Sequence, residues 1–167
     1  KQYVLSSFIG TDYVLESLGR QISGRVWGVG VRANKSTGFY SANLYDDLNF
    51  SSNLYTYFRP PDGSAVLAVA AGGPVQFGEW YSLSIKVHAN EIDVYKDGSL
   101  RSQAFDGNLQ SGAVILYGEA ATVAEFDNVF VRKYAPIDPV AIVGPTTRSP
   151  DVPPTSSHVN VASAASG

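Results

Sequence analysis

The 167-residue chain contains no cysteine and no methionine. Without cysteine there is no disulfide framework, no thiolate metal site and no thiol nucleophile. Absence of both oxidisable side chains is compatible with an exposed, oxidising setting. Charge is also scarce: 16% of residues are charged, against roughly 25% in an average soluble domain. Twelve basic residues face fifteen acidic ones, a net charge of −3. The basic footprint of a nucleic-acid binder is therefore missing. No apolar run approaches the ~20 residues of a membrane-spanning helix, and no secretory leader is visible. Lys1 is not an initiator residue, which marks the chain as processed or as a piece of a longer one. Two histidines, His88 and His158, form neither a zinc-ligand pair nor part of a Ser-His-Asp arrangement. Gly24–Gly30 lacks the Lys-Ser/Thr of a phosphate-cradling loop.

What the chain has is aromatic residues and alternation. Ten tyrosines and eight phenylalanines sit in a sequence of period two, one face apolar and the other polar. Trp27, Val29 and Val31 alternate with Gly28, Gly30 and Arg32. Tyr40, Ala42 and Leu44 alternate with Phe39, Ser41, Asn43 and Tyr45. Leu54, Thr56 and Phe58 alternate with Tyr55, Tyr57 and Arg59, and Tyr81, Leu83, Ile85 and Val87 with Ser82, Ser84, Lys86 and His88. Turn residues separate the runs at 34–38, 60–63, 72–74, 97–98, 106–108 and 111–112. Asp97-Gly98 between two alternating runs is a hairpin signal, because both turn positions need φ > 0. No segment carries a sustained helical period with caps, and Ala65–Ala71 is too short and too small for one. Many short strands with regular turns predict an all-β sandwich or barrel. In the run 124–131, strict alternation cannot turn both Phe126 and Val129 inward, and a bulge at Asp127-Asn128 reconciles Phe126 with Val129 and Val131.

At Tyr134 the alternation stops. Residues 135–157 hold six prolines among Ser and Thr, a composition of extended linkers that builds no core. Domain 1–134 is thus followed by an extended tail, 135–167. The run His158-Val159-Asn160-Val161-Ala162 alternates again and is a candidate terminal strand, 158–162.

Several motifs, taken in order, resemble the concanavalin A-like lectin/glucanase superfamily in its laminin-G-like branch. They are Trp80-Tyr81, the hairpin Asn90-Glu91-Ile92-Asp93-Val94-Tyr95-Lys96-Asp97-Gly98, Gly112–Tyr117, and Phe126-Asp127-Asn128-Val129-Phe130-Val131. Asp12–Glu16 and Gly28–Ala33 look like the family's earlier strands, so the likeness covers about 12–134. The resemblance implies a two-sheet antiparallel jelly-roll sandwich with an extended Pro/Ser-rich C-terminal tail. Family members include sugar-binding modules, adhesion domains and glucanases, so fold leaves function open. The family usually has one or two strands before the segment matching Asp12–Glu16. Only eleven residues precede it here, which predicts a sandwich short at its N-terminus with an exposed edge that another strand would cover.

The residues then weigh the chemistry. A glucanase needs two carboxylates across the scissile bond. In the superfamily's hydrolases they lie along one strand, as E-x-D-x-E or E-x-D-x-x-E. Glu91-Ile92-Asp93 begins that way, but Tyr95 and Lys96 follow and Asp97 belongs to the turn. No catalytic residue is assigned, and Glu91 and Asp93 are expected on the wet face of the hairpin. Phe39, Asn43, Tyr45, Tyr55, Tyr57 and Arg59 are out of phase with their strands' core residues. They offer aromatic platforms with an amide and a cation for a glycan, although tyrosines at such positions also pack across strands. No cofactor is required. A structural calcium, carried by sandwich relatives, has candidate oxygen ligands at Asp46, Asp47 and Asn49, or at Asp127 and Asn128. Asn34 and Asn49 head N-glycosylation sequons in predicted turns, as in an exported protein.

The expectation is a non-catalytic extracellular or cell-surface subunit. Low charge, the short N-terminus and the tail favour self-assembly through strand exchange or tail docking, with His158, Val159, Asn160 and Val161 as the assembling run and other copies of the chain as partners. The alternative is a glycan-binding module of a larger surface protein, and the remote one a glycoside hydrolase. Neither nucleic acid nor membrane insertion is expected.

Overall fold

The computed structural model describes residues 2–45, 53–73, 75–119 and 121–136, with the side chains of 2–5 and 53 left aside. The described chain is all-β, a two-sheet antiparallel jelly-roll sandwich. Eleven strands follow one another: β1 (Gln2–Leu5), β2 (Tyr13–Ser23), β3 (Val26–Asn34), β4 (Gly38–Tyr45), β5 (Asn53–Arg59), β6 (Ala65–Ala71), β7 (Trp80–His88), β8 (Glu91–Lys96), β9 (Ser99–Phe105), β10 (Ala113–Glu119) and β11 (Val123–Lys133). One sheet has the order β1-β10-β3-β4-β5-β6 and the other β11-β2-β7-β8-β9. The run Ala65–Ala71 is a strand pairing with β5 at the sheet's edge.

The alternation read from the sequence sets the core. Trp27, Val29, Val31, Tyr40, Ala42, Leu44 and Leu54 from the first sheet meet Tyr13, Leu15, Leu83, Ile85, Val87, Ile92 and Val94 from the second, all buried. Thr56 is equally buried, and its hydroxyl pairs with that of Ser102 at 2.6 Å. Gly19 leaves room for the Trp27 ring, since a Cβ there would stand 2.2 Å from it. Phe126 meets the same ring edge-on at 5.8 Å.

Three details differ from the sequence reading. A strand does precede Asp12–Glu16: β1 pairs antiparallel with β10, Gln2 opposite Gly118 through Leu5 opposite Ile115, and is itself the edge strand of that sheet. Four residues suffice, because a strand needs only a short ladder to cover its neighbour's backbone groups. The β11 bulge exists, with the register shifting between Asp127 and Phe130 and Asn128 at a φ of 49°. It brings Phe126 and Val131 onto the core but leaves Val129 40% exposed, because the extra residue is spent at the bulge itself. Asp93 is only 8% exposed rather than wet. The Gln103 amide donates to both Glu91 (2.6 Å) and Asp93 (3.0 Å), so cross-strand neighbours cover it. The tail, with its candidate strand 158–162 and His158, lies outside the described residues.

Arg32 ties one end of the sandwich. Its guanidinium is fully buried. It donates to the carbonyls of Thr11 (3.0 Å), Ala89 (2.6 Å) and Leu109 (2.9 Å), and lies 3.4 Å from Asp12 Oδ1. Three loops thereby share one cation. Burial lowers the Arg32 pKa, against the raising pull of Asp12.

Candidate functional site

The outer face of the six-stranded sheet gathers the sequence-selected residues. Asn43 stands opposite Tyr55, Ser41 opposite Tyr57 and Phe39 opposite Arg59 across the β4–β5 ladder. On the other side, Gly28 stands opposite Asn43 and Tyr117, and Glu119 opposite Val26. The period of two puts all of these side chains on one face. Phe39, Asn43, Tyr45, Tyr55, Tyr57 and Arg59 are thus brought together.

Arg59 organises the face. Its side chain runs from the Phe39 row back across the sheet. Nε donates to Ser41 Oγ at 3.2 Å and Nη2 reaches Glu119 Oε1 at 3.4 Å. The guanidinium carbon lies 4.3 Å from the Tyr57 ring centre and 5.2 Å from that of Tyr117. Such cation–π contacts strengthen as water is excluded, and Arg59 is 5% exposed. Gly28 makes the floor shallow. A Cβ there would stand 2.0 Å from the Ala42 carbonyl oxygen, so no larger residue fits.

The aromatic wall is packed within itself. Tyr55 and Tyr57 stack with centroids 5.6 Å apart and planes 15° apart, and Tyr45 meets Tyr55 edge-on at 5.0 Å. The hydroxyls of Tyr45 and Tyr57 share a hydrogen bond of 3.0 Å. Phe39 meets Tyr117 at 6.0 Å. Asn43 Nδ2 donates to the Tyr117 hydroxyl at 3.1 Å, while Asn43 Oδ1 is buried with no hydrogen-bond partner among the described residues. Burial raises the Tyr57 pKa, reinforced by the Tyr45 bond. Burial likewise raises Tyr117, against the lowering effect of Arg59. Both phenols are therefore neutral in ordinary buffers. Val66 opposite Tyr57 and Val69 opposite Tyr55 extend the face with half-exposed apolar groups.

Tyr117, Glu119 and Ser41 complete the set that the sequence picks out only in part. The sequence marks Tyr117 only as the end of the Gly112–Tyr117 motif. Its neighbour β3 lies far away in sequence, so the pairing was not legible.

The other candidates are placed differently. Glu91 and Asp93 share one amide on the second sheet and do not face each other across a cleft. The exposed Asp127 accepts the backbone N–H of Asn128 at 2.7 Å. Among the described residues no group of three His, Asp or Glu side chains comes together. Asp46, Asp47 and Asn49 lie outside the described residues. Asn34 is exposed in the β3–β4 turn, its Oδ1 accepting the Ser36 N–H at 2.8 Å. His88 stacks on Tyr134 at 4.2 Å, a packing contact at the end of the domain.

Comparison with solved structures bears on the fold. A carbohydrate-binding module, CBM66, from Bacillus subtilis superposes with a TM-score of 0.71 at 23% identity, covering 78% of this chain and 81% of its own. Xenopus laevis galectin-Ib gives 0.62 at 11% identity, covering 78% and 98%. A Parabacteroides distasonis protein assigned to the glycosyl hydrolases gives 0.61 at 13%, covering 80% and 83%. At these identities the likeness is one of fold, a lectin-like jelly-roll. No protein-family model matches the chain, and no curated protein matches it.

Proposed function

We propose that this chain is a non-catalytic carbohydrate-binding domain whose sugar site is the outer face of the six-stranded sheet. The observation that carries this reading is the Arg59 arrangement. One buried guanidinium joins Ser41, Tyr57, Tyr117 and Glu119 into a polar floor beside a tyrosine wall. A sugar ring presents apolar C–H groups on one side and hydroxyls around its rim. Tyr55 and Tyr57 offer a stacking surface, and Arg59 and Glu119 offer a donor and an acceptor. The side chains already hold one another, so little conformational entropy is lost on binding.

The fold shared with a carbohydrate-binding module and a galectin supports the same reading. An extracellular or cell-surface setting belongs to the proposal, supported by the exposed Asn34 sequon. The self-assembly reading loses one of its supports, since β1 occupies the place beside β10 that another strand was expected to fill. A hydrolase is disfavoured by the shared amide between Glu91 and Asp93.

A glycan array is the test. The expected result is retention of at least one neutral glycan, weakened about five- to tenfold by Tyr55→Ala through loss of one aromatic platform. An array without signal, or binding indifferent to Tyr55→Ala, would count against the proposal.

A further inference from the structure

We infer that Glu119 is a specificity-determining residue that restricts the face to neutral sugars and turns uronic acids away. This rests on the carbohydrate-binding reading. Arg59 and Glu119 are the only charged side chains on this face among the described residues of β3, β4, β5, β6 and β10. Arg32, which follows on β3, turns its guanidinium to Thr11, Asp12, Ala89 and Leu109 at one end of the sandwich. Among the described residues the face is therefore electrically balanced by a single pair.

That pair is built to stay together. Arg59 is fixed by Ser41 and held between the Tyr57 and Tyr117 rings, so it cannot swing away from Glu119 to meet an incoming anion. Glu119 is the more open partner, with 22% of its side chain exposed against 5% for Arg59. At 3.4 Å the contact is long, and Glu119 keeps accepting capacity on both oxygens. A neutral diol suits this geometry, one hydroxyl donating to Glu119 and its neighbour accepting from Arg59. A sugar carboxylate instead meets Glu119 first, with Arg59 already neutralised by it. Like charges brought together where water is partly excluded are strongly disfavoured.

The test uses immobilised β-glucan, galactan and mannan, each beside its own C6-carboxylated form, with the wild-type chain and Glu119→Gln. Glutamine keeps the size and an accepting oxygen, and the thermal melt of the variant reports that the fold is retained. The expected wild-type result is at least ~10-fold preference for the neutral member of any pair that binds. Glu119→Gln should narrow or reverse that ratio. Its new binding to the carboxylated form should weaken as salt rises from about 0.05 to 0.5 M, the mark of a charge contact between ligand and Arg59. Glu119→Asp should restore the neutral preference. A wild-type chain that holds the carboxylated form as well as the neutral one overturns the inference alone, as does an unchanged ratio in Glu119→Gln. If neither protein binds any polymer of either form, the inference falls together with the reading beneath it.

Discussion

Arg32 and Arg59 are the same side chain put to opposite uses. Arg32 is satisfied mainly by carbonyls and closes the end of the sandwich, whereas Arg59 lies across a sheet face between tyrosines. Removing Arg32 leaves three loop carbonyls without their donor and Asp12 without its cation. Each stranded buried group costs about 1–3 kcal/mol, so Arg32→Met should destabilise the domain by about 3 kcal/mol or more in a denaturant titration. A loss under ~1 kcal/mol would show that water replaces the guanidinium. Nothing in the sequence marked Arg32 for this role. It stands in the polar phase of an alternating run, and its positive φ of 50° and burial arise from an irregularity in the β3–β4 register. The Arg59 neighbourhood was partly legible, because Arg59, Tyr57 and Tyr55 fall in one phase of one strand and Phe39, Asn43 and Tyr45 in one phase of the next.

At the scale of elements, local chemistry was read well and distant pairing was not. Asp97-Gly98 forms the β8–β9 turn with φ of 51° and 74°, as the alternating flanks require. Gly98 has nothing within 4 Å of where a Cβ would stand. Gly98→Ala therefore tests backbone conformation alone. It should cost about 1 kcal/mol, seen as a lowered denaturation midpoint at unchanged slope, without altering glycan retention. A neutral effect would mean the turn relaxes to another form. What period two cannot give is which strand lies beside which. β1 beside β10 and β10 beside β3 join residues about eighty or more apart in sequence. Glu119 and Tyr117 reach the candidate site only through those pairings, and the unread β1 is what made the sandwich look short at its N-terminus. Val129 shows the same limit more finely: the sequence revealed that a bulge was needed, but not which residue it would turn outward.

At the scale of the whole sandwich, the described residues of both sheets and of the outer face are held by phenols that stay protonated. Burial pushes Tyr13 up to about 12 from its usual 10, only partly countered by Arg32. Burial and Asp106 raise Tyr40, whose hydroxyl donates to Asp106 Oδ1 at 2.6 Å and accepts the Leu109 N–H at 2.9 Å. Tyr57 and Tyr117 are raised on the outer face of the six-stranded sheet. A group with a raised folded pKa contributes stability that is complete below its unfolded value and lost as pH climbs through the folded one. For Tyr13 that window runs from pH 10 to about 12, and its share is on the order of 2–3 kcal/mol at about 1.4 per unit. The four groups act in the same direction, and a domain has only ~5–15 kcal/mol in total. Stability should therefore hold level from neutral pH to about 10 and then collapse. The phenolate absorbance contributed by these four tyrosines should rise in one cooperative step that coincides with loss of near-ultraviolet dichroism. Because Tyr57 and Tyr117 belong to the face that carries Arg59, glycan retention should vanish in the same step rather than earlier. If the phenols titrate gradually while the dichroism stays native through pH 12, the burial of Tyr13 does not hold its proton as the structure requires.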